Sequence, residues 1–209
     1  MFPISFKLYL VTDRKQTAKP LLDVIREASE ASGLAIQFRE KDLSMREQLE
    51  MALEIRKITK QFAVPLFIND RVDLCLAIDA DGVHLPATGL PITVARKMLG
   101  KQKGIGVSCH SLEDVLRAES EGADFALLGP IYDTPSKRAY GPPLEIDYFR
   151  EVKQTTSIPL FAIGGIKEET LKEVIEAGAN GVAMISPIMK AKNVAEQCRT
   201  ILEAIDKIK

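Results

Sequence analysis

The 209-residue sequence predicts an α/β fold, a single (β/α)8 barrel spanning residues 1–209. Three observations carry this. The strand-like segments are apolar throughout rather than alternating, as expected of parallel strands buried on both faces. Amphipathic helical segments separate them, which supplies the covering layer. The strand–helix unit recurs eight times without a linker or a break in composition, which fits the compact end of the barrel size range. A doubly wound open sheet is the alternative arrangement of the same units.

In chain order, "KLYLVTD" (7–13) reads as the first strand. "AKPLLDVIREASEASG" (18–33) follows as a helix, with Leu21, Leu22, Ile25 and Ala28 on one face and Gly33 closing it. "LAIQFR" (34–39) is the second strand, and "SMREQLEMALEIRKITKQF" (44–62) a helix opened by a Ser44/Glu47 capping box. "VPLFIND" (64–70) is a strand and "RVDLCLAI" (71–78) a short helix; "DGVHL" (81–85) and "PITVARKML" (91–99) form the fourth pair. "GIGVS" (104–108) and "SLEDVLRAESEG" (111–122) form the fifth. "DFALLG" (124–129) is followed by a long polar loop and the helix "EIDYFREVKQ" (145–154). "IPLFAIGG" (158–165) and "KEETLKEVIEAG" (167–178) come next, then "GVAMIS" (181–186) and a final helix, "NVAEQCRTILEAIDKIK" (193–209).

Composition narrows the function classes. A hydrophobic share of 46% with 27% charge reads as a soluble globular protein. The net charge of -1 gives no global attraction to nucleic acid or to an anionic membrane, so any anion site is local. The N-terminus shows no signal-peptide pattern. No apolar run approaches the roughly 20 residues a membrane-spanning helix needs. Cys75, Cys109 and Cys198 are odd in number, far apart and without metal-ligand spacing, which points to a reducing cytoplasm.

In a barrel, the residues just beyond each strand gather on one face, where active sites sit. Here polar groups and glycines concentrate, whereas the opposite ends read mostly as Gly, Pro and Ala turns. Gln37, Arg39 and Lys41 leave the second strand on one side if the pleat continues, and Glu40 points away. Asn69 and Asp70 end the third strand; Asp70 reads as a Mg²⁺ ligand, as a partner of Arg39, or as a cap of the helix that follows. His84, Ser108 and His110 follow strands four and five, with each histidine readable as a packed or capping group. The loop "GPIYDTPSKRAYGPP" (129–143) is long for its type and offers Thr134, Ser136, Lys137 and Arg138 to phosphate oxygens. Gly164 and Gly165 after strand seven, and Ile185 and Ser186 after strand eight, stand where barrel enzymes often hold a phosphate.

The segments "QFREK", "FINDRVDL", "DGVHL", "GVSCHSLEDV", "GADFALLGPIYDTPSK", "AIGGI" and "GVAMIS" occur in an order that resembles the thiamine phosphate synthase superfamily, which includes the thiazole tautomerases. The resemblance implies a transferase of thiamine biosynthesis. It would join hydroxymethylpyrimidine diphosphate to thiazole phosphate, release diphosphate, and proceed by a dissociative substitution at the pyrimidine methylene. It assigns catalytic contacts to Arg39, Lys41, Ser108 and Lys137, and substrate binding to Gln37, Asn69, Thr134, Ser136, Gly164, Gly165, Ile185 and Ser186. Asp70 becomes a ligand of Mg²⁺, the implied cofactor. The resemblance also departs from pattern. Synthases place a second Mg²⁺ aspartate where Gly89 stands, so the metal site is weakened. "VHLP" is similar to the tautomerase branch, yet the tautomerases' active-site histidine is Pro130 here. A thiazole tautomerase and a non-catalytic thiazole-phosphate-binding protein are therefore the alternatives. A homo-oligomer is compatible with all three.

Overall fold

The computed structural model describes residues 2–134 and 141–208. Its strands are β1 (Leu8–Val11), β2 (Leu34–Phe38), β3 (Leu66–Asn69), β4 (Gly82–Leu85), β5 (Gly104–Cys109), β6 (Phe125–Leu128), β7 (Leu160–Ile163) and β8 (Gly181–Met184). All pair in parallel with their sequence neighbours, and β8 closes on β1 from Leu8↔Val182 to Leu10↔Met184. Closure excludes the open doubly wound sheet. The helices are α1 (Leu21–Ser29), α2 (Met45–Gln61), α3 (Val72–Ala77), α4 (Ile92–Leu99), α5 (Leu112–Ser120), α6 (Ile146–Thr155), α7 (Leu171–Glu176), α8 (Ser186–Met189) and α9 (Val194–Ile208). The capping box of α2 forms: Ser44 Oγ accepts from Glu47 N at 3.4 Å and Glu47 Oε2 from Ser44 N at 2.8 Å. One expected helix is subdivided and one short helix was not expected. Residues 168–170 form a 3-10 turn before α7, and the short α8 precedes α9.

Why the strands are apolar throughout follows from the two sides of the barrel wall. Leu34, Ile36 and Phe38 of β2 pack outward against the helices, as do Leu66 and Ile68 of β3 and Ile105, Val107 and Cys109 of β5. The alternate residues fill the barrel interior: Tyr9, Ala35, Phe67, Phe125, Leu127, Phe161 and Ala183. Four aromatic rings in so narrow a space need room opposite them. Glycine provides it, since a Cβ on Gly106 would lie 2.3 Å from Phe125 Cζ and 2.6 Å from His84 Nδ1. Phe6, from the segment before β1, plugs the lower opening and stacks on Tyr9 with ring centroids 5.6 Å apart. Phe2 meets Phe67 edge-on at 5.7 Å. The dense interior leaves the upper mouth as the one end where polar side chains line the inner wall.

The lower face is more polar than the turn chemistry suggests. Asp81 Oδ2 accepts from Leu66 N at 2.8 Å and binds Arg56 Nη1 at 2.6 Å. Buried Asp124 accepts from Ile105 N and Phe2 N, both at 2.8 Å, and from Arg96 Nη2 at 2.6 Å. Asn180 Oδ1 accepts from Leu160 N at 2.9 Å. Each of these residues precedes an even-numbered strand and satisfies an amide at the start of the strand before it. Such a donor would otherwise be buried unpaired, at a cost of about 1–3 kcal/mol.

Candidate active site

Inner-wall alternation carries directly into the mouth. Gln37, Asn69, His84 and Ser108 lie in phase with the interior rings of β2 to β5. Buried Gln37 makes no side-chain hydrogen bond among the described residues. Beyond the last rung of β2, Thr12 Oγ1 accepts from Arg39 N at 2.9 Å and holds the chain on course. Arg39 is half-buried, and its charge reaches His84. Lys41, Asn69, Asp70 and Gln48 line one cavity of about 190 Å³ together with Phe38, Glu40 and Arg71.

The side chains of Arg39, Lys41, Asn69 and Asp70 form no hydrogen bond or ion pair among the described residues. Cations elsewhere mostly find carboxylates, including Arg14 with Asp42, Arg56 with Asp81 and Arg71 with Asp73. Two of the three readings of Asp70 therefore fail. Asp70 does not bond Arg39, and the N-cap of α3 is Arg71, with no side-chain cap. Asp70 instead sits at φ 63°, in the left-handed region, while its N–H donates to His84 O at 2.9 Å. Strain of this kind costs of order 1–3 kcal/mol and clusters at functional sites. The carboxylate faces Gly89: a Cβ there would stand 2.9 Å from Asp70 Oδ1.

His84 is a wall group. Its ring lies against Tyr9 and Phe125, with centroids 5.7 and 5.9 Å away, and its Nε2 stands 3.0 Å from Ser108 Oγ. Burial, and then the Arg39 charge, push its pKa down to about 3, so it is neutral at ordinary pH. Its visible role is to orient the Ser108 hydroxyl. His110 ties β5 to β6, its Nδ1 2.6 Å from Gly129 O, while Ser111 caps α5. All three cysteines are buried, and burial pushes their thiols up to about 11 for Cys75 and about 12 for Cys109 and Cys198.

On the opposite rim the loop after β6 is moored to β7. Ile131 N donates to Ile163 O at 2.9 Å and Tyr132 N to Gly164 O at 3.0 Å. The diglycine is needed for this mooring. Gly164 and Gly165 have φ of 96° and 66°, and added Cβ atoms would come within 2.6 Å of Pro130 Cβ and 2.7 Å of Asp133 O. Thr134 ends the described part of the loop; Ser136 and Lys137 lie outside the described residues. Ile185 precedes the short α8, and Ser186 Oγ donates to Gln16 Oε1 at 2.5 Å. Gln16 is a mouth residue that strand-end reasoning misses, because it lies in the 3-10 turn Arg14–Gln16 after β1. A signal was available in Asp13 three residues earlier, whose Oδ2 accepts from Gln16 Nε2 at 2.7 Å.

A larger hollow, about 1030 Å³, opens on the outer surface beside α5 and includes Leu112, Leu116 and Tyr148. Two of its three charged residues are already engaged, Arg117 with Asp114 and Glu119 with Thr156 and Ser157. The mouth, with charge that finds no partner among the described residues over a filled interior, is the better candidate.

Fold and mouth define a parallel (β/α)8 barrel whose polar groups converge at the C-terminal ends of its strands, the arrangement of barrel enzymes. The thiamine monophosphate synthase family model matches residues 8–188. A putative thiamine-phosphate synthase of Geobacter sulfurreducens is 46% identical over 203 residues, 97% of this chain and 95% of that one. A thiamine-phosphate synthase of Clostridium acetobutylicum is 40% identical over 205 residues, 98% and 97% of the two chains. Among solved structures, a thiamine phosphate pyrophosphorylase from Pyrococcus furiosus superposes with a TM-score of 0.89 at 35% identity, covering 98% of each chain. The chain belongs to the thiamine monophosphate synthase family. All three relatives carry the synthase or pyrophosphorylase name, and the tautomerase and non-catalytic readings are not favoured.

Proposed function

We propose that the protein joins hydroxymethylpyrimidine diphosphate to thiazole phosphate, releasing diphosphate and forming thiamine phosphate. The observation that carries this reading is the set of polar groups around one rim of the mouth, Arg39, Lys41, Asn69 and Asp70, whose side chains find no hydrogen-bond or ion-pair partner among the described residues. Arg39 is half-buried, and a cation partly withdrawn from water is costly unless a partner compensates it. A diphosphate supplies the partner for the cations, and a hydrated divalent cation the partner for Asp70.

In this reading Arg39 and Lys41 grip the diphosphate and stabilise its charge as the C–O bond to the pyrimidine methylene breaks. The C–N bond forms when the thiazole nitrogen attacks that carbon, so holding the two rings in register is a large part of the catalysis. Gln37, on the inner wall, presents its amide to the pyrimidine. Ser108, oriented by neutral His84, donates to the diphosphate. No strong general base is required, which agrees with a His84 pKa near 3. The loops after β7 and β8, with Gly164, Gly165, Ile185 and Ser186, take the thiazole phosphate. In that step the Ser186 hydroxyl turns from Gln16 to the phosphate. Thr134, Ser136 and Lys137 complete the grip from the β6 loop.

Mg²⁺ fits this donor set in one form. Among the described residues no group of three or more His, Cys, Asp or Glu side chains is arranged to hold a metal. One exposed carboxylate, Asp70, with the Asn69 amide beside it, suits an ion that keeps several waters and is carried on substrate phosphates. When bound, it neutralises charge on the leaving diphosphate.

The test is direct incubation of the purified protein with both substrates and Mg²⁺, following thiamine phosphate by its oxidation to fluorescent thiochrome and diphosphate by a coupled assay. Stoichiometric formation of both products is expected. Failure to form either at high enzyme concentration refutes the reading.

A further inference from the structure

The geometry points to Glu40 as a positioning residue for the two cations that flank it. The inference rests on the reading of Arg39 and Lys41 as diphosphate ligands. A glutamate between two anion-binding cations is paradoxical, since it could neutralise both. The structure removes the paradox. The Glu40 side chain is 2% exposed and turned away from its neighbours, into the 3-10 turn after β1. Its Oε1 and Oε2 accept from Arg14 N at 3.0 and 3.2 Å, and Oε2 also from Arg14 Nη1 at 3.2 Å.

This contact falls where the barrel ladder has run out. The β1–β2 pairing ends at Val11↔Gln37, so no strand hydrogen bond fixes residues 39–41. Two tethers replace it: Thr12 Oγ1 on Arg39 N, and the Glu40 carboxylate on the backbone and guanidinium of Arg14. Arg14 is braced in turn by Asp42, at 2.6 and 2.8 Å, and these bonds raise its pKa. A buried apolar residue at position 40 would fill the space but leave Arg14 N unpaired and the segment untethered. Gln16, which contacts Ser186, is held separately by Asp13, so the tether acts on the diphosphate side of the mouth.

The experiment is calorimetric titration of the intact protein with inorganic diphosphate in Mg²⁺, and separately with thiazole phosphate. Four forms are compared: wild type, the double variant Arg39→Ala/Lys41→Ala, Glu40→Gln and Asp42→Asn. In Glu40→Gln the amide nitrogen opposes the Arg14 donors. Diphosphate affinity is expected to fall about tenfold, with thiazole phosphate affinity within about twofold of wild type, because a displaced ligand loses binding only where it acts. Asp42→Asn, at an exposed brace, is expected to change neither by more than about twofold. Should Glu40→Gln fail to fold, Arg14→Ala removes the guanidinium and is expected to weaken diphosphate alone, by about threefold. Wild-type diphosphate affinity in Glu40→Gln, with affinity lost in the double variant, overturns the positioning role and leaves the diphosphate reading intact. A parallel loss of both ligands also overturns it, since that marks a structural role only. Wild-type affinity in the double variant overturns the diphosphate reading, and this inference with it.

Discussion

His84 gives the site a testable signature in stability rather than in rate. Its folded pKa lies near 3 against an ordinary 6.5, because burial disfavours the charged ring and Arg39 adds to this. The folded protein therefore keeps His84 neutral where the unfolded chain binds a proton. Stability from this group is fully present above about pH 6.5 and is lost as pH falls toward 3, the unfolded state binding the extra proton throughout that window. For a fall from about pH 7 to about pH 5, a reference pKa of 6.5 gives a loss of about 2 kcal/mol from this residue alone. At about 2–4 °C per kcal/mol for a chain of this size, the midpoint should drop by about 4–8 °C more in wild type than in His84→Gln. Carboxylates titrate in both forms, so the difference between the two proteins isolates His84. The assay is thermal unfolding followed by circular dichroism at both pH values. Equal pH dependence in the two proteins refutes a buried neutral histidine.

Other perturbations read different parts of the molecule. Gly106→Ala drives a Cβ to 2.3 Å from Phe125 Cζ and 2.6 Å from His84 Nδ1, so a stability loss of about 1–3 kcal/mol and weakened diphosphate binding through Ser108 are expected together in denaturation and titration experiments. Asp124→Ala strips a buried carboxylate from Arg96 and from two backbone amides at the far end of the barrel. Urea unfolding should show a loss of about 3–5 kcal/mol, with substrate affinity unchanged at low temperature. Gly89→Asp places a second carboxylate beside Asp70 Oδ1. Millimolar Mg²⁺ alone should then raise the thermal midpoint of the variant and leave wild type unmoved; an equal response in the two removes position 89 from the metal argument.

Much of the fold was legible in the chain because burial on both faces leaves a strand no polar positions to spare. "LAIQF" and "FALL" announce themselves, and Ser44 with Glu47 marks a helix start by local chemistry alone. The pleat also sent Gln37, Arg39 and Glu40 to the sides where the structure has them, because an extended segment alternates whether or not its neighbour is known. Readings that depended on a partner fared less well. Asp70 was equally a cap, an ion-pair partner or a metal ligand until its left-handed backbone turned it to Gly89. The lower face passed for simple turns until Asp81, Asp124 and Asn180 were seen to close amides of the preceding strand.

By itself, then, the sequence determined the eight repeated units, their order, the polar character of one end of the barrel and the family. These depend on periodicity and on residue types along the chain, which are local. Only the tertiary structure decided that four aromatic rings fill the interior, that His84 is a neutral wall group holding Ser108, that Gln16 reaches Ser186, and that the glutamate in "FREK" clamps a neighbouring turn. Each of these joins residues from different strands or turns. Their energies come from desolvation and hydrogen-bond partners, quantities that take values only when the barrel closes.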